Sequence, residues 1–280
     1  MTGAKPPVPD PGIVSAVFQL AREKLAARDN GLVVLGICGS QGSGKSTLAK
    51  AVLQQCAEQG IAAASLSIDD LYLTKAERER LGRDVHPLLR TRGVPGTHDV
   101  ALGLDVISQL DRGLPAALPR FDKARDDRTP QGEWPAAPEN CRLLVFEGWC
   151  VGARPEADAA LRQPVNTLEE TEDADGIWRR YANVGLAGDY QRLFARIDAL
   201  VLLAAPGFDV VLSWRMQQEE ELRQSAGEQA SDVMDAAGVA RFIRHYERLT
   251  CHILSEMPDR ADLVIRLARD RRPLSIERRS

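Results

Sequence analysis

The chain has 280 residues, of which 44% are hydrophobic, 27% charged and 5% aromatic, a globular profile that excludes disordered and collagen-like chains. Lys and Arg number 36 against 40 Asp and Glu, a net charge of −4, so the mean field offers no attraction for nucleic-acid backbones or anionic membranes. No apolar run approaches the roughly 18 residues of a membrane span, and the five cysteines form no C-x-x-C pair and have no histidine at metal-ligand spacing. The expectation is a cytoplasmic protein with reduced thiols and no membrane, nucleic-acid or protein partner.

A polar, proline-rich lead, without an apolar core of signal-peptide length, precedes an amphipathic helix over 13–28 carrying Ile13, Val14, Val17, Phe18, Ala21 and Leu25 at helical spacing. Asp29-Asn30-Gly31 ends it. Leu32–Cys38 is a continuous apolar run of strand length, suited to burial on both faces, and it enters a glycine-rich loop. A helix over 46–59 and a strand over 61–68 complete a βαβ unit. Helices follow over 74–81 and 99–110, with helical stretches over 166–193 and 210–222. Strands are expected at 142–146, 198–204 and 261–267. This alternation predicts an α/β fold of three layers, with a mainly parallel sheet and helices on both faces. Residues 1–30 form a lead and helix and 31–280 a single domain with helical insertions. The polar stretch Ser225–Ser231 falls in a candidate lid over about 213–237.

Gly39-Ser40-Gln41-Gly42-Ser43-Gly44-Lys45-Ser46 fits G-x-x-x-x-G-K-[ST], directly after a buried strand and opening a helix. Glycines let successive backbone N–H groups converge on a phosphate, and the helix N-terminus adds partial positive charge. Lys45 then reaches the β- and γ-phosphates of a nucleotide, and the Ser46 hydroxyl helps hold Mg²⁺. Residues 39–47, including Thr47, are therefore the candidate ATP cradle of a P-loop NTPase core. The chain has neither an Asn-Lys-x-Asp guanine-reading segment nor a Leu-Ser-Gly-Gly signature, which moves the weight toward small-molecule kinases.

The strand over 61–68 ends in Asp69-Asp70-Leu71-Tyr72, at the carboxyl edge where open α/β sheets bind ligands. Asp69 is the candidate to take or orient an acceptor hydroxyl proton, with Asp70 secondary or structural. Glu147, after the strand over 142–146, is a candidate Mg²⁺ or water ligand, so Ser46, Asp69 and Glu147 form the candidate metal set. The loops Arg90–Asp99 and Arg120–Arg128 supply cations that either recognise an anionic or polyhydroxylated acceptor or neutralise themselves in solvent. They contain the acceptor candidates Arg92, His98, Asp99, Asp122, Lys123 and Arg128, to which Tyr72 is added. Arg215 and Arg223 flank an acidic run on one predicted helix. One of them, Arg215 in first place, is a candidate to stabilise charge on the transferred phosphoryl group; the competing reading is surface ion pairing.

With these residues in view, the chain resembles the D-glycerate 3-kinase-like proteins, within the wider P-loop group that contains phosphoribulokinase, uridine kinase and pantothenate kinase. The resemblance rests on Gln41-Gly-Ser-Gly-Lys-Ser46, Ser67-Ile-Asp-Asp-Leu-Tyr-Leu-Thr74, Arg92-Gly-Val-Pro-Gly-Thr-His-Asp99, Phe121-Asp-Lys123, Phe146-Glu-Gly-Trp149, Pro164-Val-Asn166 and Trp214-Arg215 with Gln217-Gln-Glu219. It implies ATP-dependent phosphorylation of the 3-hydroxyl of D-glycerate, with Asp69 on the acceptor side, Glu147 as the Walker-B-type acid, and His98, Asp99, Asp122 and Lys123 near the acceptor. The stretch after Asp122-Lys123 is shorter than is usual in that family. Other acceptors (uridine, pantothenate, a pentulose phosphate) and a non-catalytic ATP-binding switch are the competing expectations.

Overall fold

The computed structural model describes residues 9–226 and 236–279. The first eight residues of the lead and the tip of the candidate lid, 227–235, lie outside the described residues, as does the side chain of Arg223. In chain order the elements begin with α1 (Pro11–Ala26), β1 (Val33–Gly39), α2 (Lys45–Glu58), β2 (Ala63–Ser67), α3 (Lys75–Asp84) and α4 (Val100–Asp111). A short hairpin, β3 (Phe121–Asp122) and β4 (Asp127–Arg128), precedes β5 (Leu143–Gly148). Then come α5 (Thr167–Glu172), α6 (Ile177–Ala187), α7 (Asp189–Phe194), β6 (Ala199–Ala204), α8 (Phe208–Ala226), α9 (Ala236–Glu256), β7 (Leu263–Leu267) and β8 (Pro273–Arg278). No helix among the described residues is long and apolar enough to cross a membrane.

Helix starts follow local chemistry. Asp10 accepts from the N–H groups of Gly12 and Ile13 and opens α1 ahead of the predicted position. Thr74 and Glu77 form a reciprocal capping box at α3, and Asp99 caps α4 through Leu102 N–H. The helical stretch expected over 166–193 is instead three helices. The Asp173 carboxylate accepts from the N–H groups of Trp178 and Arg179, so it ends one helix and starts the next. The hairpin β3–β4 and the final strand β8 were not expected from the apolar pattern.

The main sheet has the order β2-β5-β1-β6-β7-β8, with five parallel strands and β8 returning antiparallel beside β7. β1, β5 and β6 are buried throughout, as continuous apolar runs require. Alternate side chains face opposite cores. Val34, Cys38, Phe146 and Leu202 share one with Ile107 of α4, Leu193 of α7 and Ile253 of α9. Val33, Leu35, Ile37 and Val201 share the other with Val17 of α1, Val52 of α2 and Trp214 of α8. At roughly 1.5–3 kcal/mol per buried large aliphatic side chain, these two cores hold the helices in place. The register sets Ile37 of β1 beside Glu147 of β5, and Ser67 of β2 beside the same Glu147, so three strands end at one level.

Beside one core lies a buried ionic cluster. Arg248 on α9 donates Nε and Nη2 to the two carboxylate oxygens of Glu169 at 2.8 and 2.7 Å, and to the carbonyls of Ala160 and Gln163. Glu169 is fully buried, so removing it strips a buried guanidinium of its two-pronged partner and leaves only the longer pair with Glu156 at 3.4 Å. Glu169→Ala should therefore cost about 3–5 kcal/mol, seen as a lowered urea midpoint. An unchanged midpoint would show that the pair contributes nothing.

Candidate active site

β1 delivers Gly39 into the loop, and α2 opens at Lys45. Gly44 precedes the helix at φ +91°, a conformation glycine reaches without steric cost, and no side chain caps the helix. The first N–H groups of α2 are thus left for a ligand. Lys45 Nζ donates to the Ser40 carbonyl at 3.0 Å, across the mouth of the loop. Ser40 Oγ, Gln41 Oε1 and Ser43 Oγ are buried with no hydrogen-bond partner, and a Cβ at Gly39 would lie 2.7 Å from Ser43 Oγ. A concave backbone with an uncapped helix end, a lysine and unpartnered polar atoms fits a nucleotide phosphate.

β2 ends at Ser67, whose Oγ accepts from Asp69 N–H and starts a short 3₁₀ turn, Ile68–Leu71. That turn aims the two adjacent carboxylates differently. Asp69 accepts from Tyr72 Oη at 2.8 Å on Oδ1 and from Lys123 Nζ at 2.7 Å on Oδ2. Burial alone would raise the Asp69 carboxyl, but the Lys123 ammonium, the Tyr72 hydroxyl and Lys45 outweigh it and hold the group well below the usual carboxylate range. Burial and the Asp69 charge push the Tyr72 phenol well above its ordinary value, so Tyr72 remains a donor. Asp70 points instead to the hairpin, accepting from Phe121 N–H at 3.1 Å and from Arg120 at 3.3 Å. Its part is structural.

At the end of β5, Glu147 Oε1 accepts from Ser46 Oγ at 2.8 Å. Hydroxyl and carboxylate oxygens are the donor set of a hard cation, but among the described residues no three His, Cys, Asp or Glu side chains cluster as ligands. Mg²⁺ keeps waters and shares substrate phosphates rather than filling an all-protein cage, so a hydroxyl and one carboxylate are enough to hold it.

These groups meet in one cleft with about 740 Å³ of empty volume. Gln41, Gly42, Lys45 and Ser46 form one wall; Asp69, Tyr72, Glu147 and Trp149 form the floor at the sheet edge; Lys123 and Arg92 close the side next to the β3–β4 hairpin; and Arg215, Phe242 and Tyr246 come from α8 and α9. Arg92 pairs with Asp126 at the tip of the β3–β4 hairpin, and its guanidinium lies 5.5 Å from the Phe121 ring centroid. The buried Arg78 donates to the Asp126 carbonyl at 2.6 Å and pairs with its carboxylate at 2.9 Å. The hairpin carrying Lys123 is therefore pinned from below.

Four acceptor candidates do not reach the cleft wall, and each has a physical reason. His98 is buried behind Tyr72, stacked at 4.7 Å, with Nδ1 2.6 Å from Tyr190 Oη. Asp99 caps α4 and pairs with Arg128 at 3.3 Å, while Arg128 also donates to the Tyr72 carbonyl. Asp122 accepts from the N–H groups of Ala124 and Arg125 and shapes the hairpin turn. His98, Asp99 and Arg128 support the floor from behind, and Asp122 shapes the turn that carries Lys123. Conversely, Ser67, Phe242 and Tyr246 line the cleft without having been expected there; the two aromatics arrive from α9, a helix not assigned from the sequence.

Comparison with known proteins follows the geometry. No family model matches the chain. An uncharacterised kinase of Schizosaccharomyces pombe, mug58, is 35% identical over 223 residues, covering 76% of this chain and 78% of that protein. The chloroplastic D-glycerate 3-kinase of Arabidopsis thaliana is 29% identical over 264 residues, 86% of this chain and 54% of that protein. Among solved structures, a D-glycerate 3-kinase from Cryptococcus neoformans var. grubii superposes with a TM-score of 0.80 at 23% identity, covering 96% of this chain and all of that one, a likeness of fold.

His98 makes the floor testable by pH. Burial lowers its pKa from the ordinary 6.5 to about 4, with Asp69 opposing weakly. Between those values the unfolded chain binds more protons, so stability is complete above about pH 6.5 and falls as the pH drops toward 4, by up to roughly 3 kcal/mol. His98→Phe should flatten the pH dependence of the melting temperature in that window. His245, lowered to about 4 by its own burial, should retain the remaining slope. A variant with the wild-type slope would place the His98 charge elsewhere.

Proposed function

The chain belongs to the D-glycerate 3-kinase-like family of P-loop kinases, and from that premise we propose that it transfers the γ-phosphoryl group of ATP to the 3-hydroxyl of D-glycerate or a closely similar hydroxy acid. One observation carries the acceptor side: the ion-paired Asp69 carboxylate shares a single cleft with Lys45 of the phosphate loop and three further cations, Arg92, Lys123 and Arg215. An acidic protein that concentrates cations in one cleft is suited to a triphosphate and a carboxylate together.

In this reading the loop N–H groups and Lys45 bind the phosphates, while Ser46 and Glu147 would hold Mg²⁺, the ion that neutralises charge developing on the β- and γ-oxygens. Asp69 accepts a hydrogen bond from the acceptor hydroxyl and aligns its oxygen with the γ-phosphorus. The new O–P bond forms as the bond to the β-phosphate oxygen breaks, and the hydroxyl proton passes late to the hydrogen-bonded Asp69 carboxylate, once the new bond has made that oxygen strongly acidic, and from there to water. A carboxylate held at so low a pKa is a weak base, so Asp69 acts by orientation, which suffices for a loose transition state. Tyr72 and Lys123 keep it ionised and aimed. Arg215 is the candidate to stabilise charge on the transferred group, and Arg92 and Lys123 are suited to the acceptor carboxylate.

ADP release from Mg·ATP across D-glycerate, nucleosides, pantothenate and sugar phosphates tests this assignment: D-glycerate alone should stimulate. Stimulation by another acceptor would transfer the assignment to it, and stimulation by none would favour an ATP-binding switch. Lys45→Ala should lower kcat by on the order of 10²–10³ or more; near-normal turnover would refute the role given to the loop. Asp69→Asn should lose turnover while ATP affinity stays within about twofold, since the amide is isosteric but uncharged. Equal loss of both would make Asp69 a structural residue.

A further inference from the structure

The turn joining β7 to β8 reaches back to the phosphate loop. It is closed by hydrogen bonds from Ala268 N–H to the Arg272 carbonyl at 2.8 Å and from Arg271 N–H to the Ala268 carbonyl at 2.9 Å. Within it Arg271 adopts φ +68°, a left-handed conformation that side-chain-bearing residues rarely occupy and that persists only where surrounding contacts impose it.

Those contacts lead to the nucleotide cradle. Arg271 Nε donates to the Gly42 carbonyl at 2.6 Å, and Nη1 donates to Gln217 Oε1 at 2.9 Å. The guanidinium lies 5.2 Å from the Trp214 ring centroid. Trp214 Nε1 in turn donates to the Arg269 carbonyl at 2.7 Å, in the same turn. Gly42 sits at φ +77°, and a Cβ there would lie 2.6 Å from the Cβ of Trp214, so α8 packs directly on the loop backbone. Phosphate loop, α8 and the β7–β8 turn thus form one closed contact.

A trans peptide plane carries its C=O and N–H in opposite senses. Holding the Gly42 carbonyl on Arg271 therefore fixes the sense of the Ser43 N–H, which spans the loop to the Ser40 carbonyl at 3.2 Å. A rotated Gly42–Ser43 peptide would turn a carbonyl oxygen toward the phosphates, where it would repel them. We propose that Arg271 is a positioning residue for nucleotide binding: acting through Gly42, it keeps the loop N–H groups convergent, and through Trp214 it ties the loop to the segment of α8 that carries Arg215. The inference rests on the assignment of the loop to ATP and is independent of the acceptor.

The test uses the full chain, a fluorescent ATP analogue (mant-ATP with Mg²⁺) and melting temperatures measured without nucleotide. Arg271→Gly removes the guanidinium while placing at φ +68° the residue that tolerates it best, so relief of backbone strain offsets part of the lost contacts and the melting temperature should stay within about 5 °C of the wild type. Its mant-ATP affinity should nevertheless fall about tenfold, the scale of one lost charge-assisted hydrogen bond. Arg271→Lys should lose a comparable factor, because an ammonium reproduces neither the planar stack on Trp214 nor the Nε donor. In steady state KM for ATP should rise in both variants, with the acceptor KM within about twofold, as expected when only the nucleotide side is disturbed. Wild-type nucleotide affinity in Arg271→Gly overturns the proposal, and so does a fall in affinity that only tracks a fall in melting temperature. A wild-type chain that fails to bind mant-ATP removes the premise and the proposal with it. One that binds mant-ATP but ignores D-glycerate overturns the acceptor assignment alone.

Discussion

Everything at the candidate site depends on the register of three parallel strands, β1 and β5 buried throughout and β2 half-buried at the sheet edge. β1 sits between β5 and β6, and β5 between β2 and β1, with Ile37 and Ser67 both level with Glu147. Parallel strands buried on both faces have little freedom to slip, because a one-residue shift exchanges the two cores. The phosphate loop, the turn bearing Asp69 and the Glu147 carboxylate therefore emerge together at one edge. Short hydrogen bonds, Ser46 to Glu147 and Tyr72 to Asp69, then set the side chains within that frame.

Charge is organised on a finer scale than the net value of −4 suggests. Many carboxylates among the described residues are matched locally, as in the pairs Arg248–Glu169 and Arg179–Asp173, both buried, and Arg120–Asp70. In the cleft, Lys45, Arg92, Lys123 and Arg215 gather around Asp69 and Glu147, with Arg92 also paired to Asp126 of the hairpin. Asp69 shows the consequence: it stays ionised despite burial because cations surround it. The same surplus is the physical basis for proposing an anionic acceptor beside a triphosphate.

The parts of this arrangement that were legible in the sequence are those encoded by contiguous residues. The run Val33–Cys38 followed by the spacing from Gly39 to Ser46 announces both the strand and the cradle, and Asp69 and Glu147 follow apolar strands in the same way. The hairpin Phe121–Arg128 was opaque because its strands are two residues each and its position is set by long-range bonds to Asp70 and Arg78. The resemblance puts His98 and Asp99 near the acceptor; the pairing of Tyr72 with His98 places the histidine behind the Tyr72 ring, outside the cleft lining. Chain adjacency says nothing of which way a side chain points. Arg271 was hidden in an arginine-rich tail, and its meaning arises from contact with Gly42, far away in sequence.

The central claim is that one cleft holds the phosphates on Lys45 and the acceptor hydroxyl on Asp69. The most direct measurement is a crystal structure of the full chain with Mg²⁺, a non-hydrolysable ATP analogue and D-glycerate. The account predicts Lys45 on the terminal phosphates and the glycerate 3-hydroxyl at hydrogen-bond distance from Asp69, about 2.6–3.2 Å, in line with the γ-phosphorus. Glycerate bound away from Asp69, or triphosphate bound outside the Gly39–Ser46 loop, would contradict it.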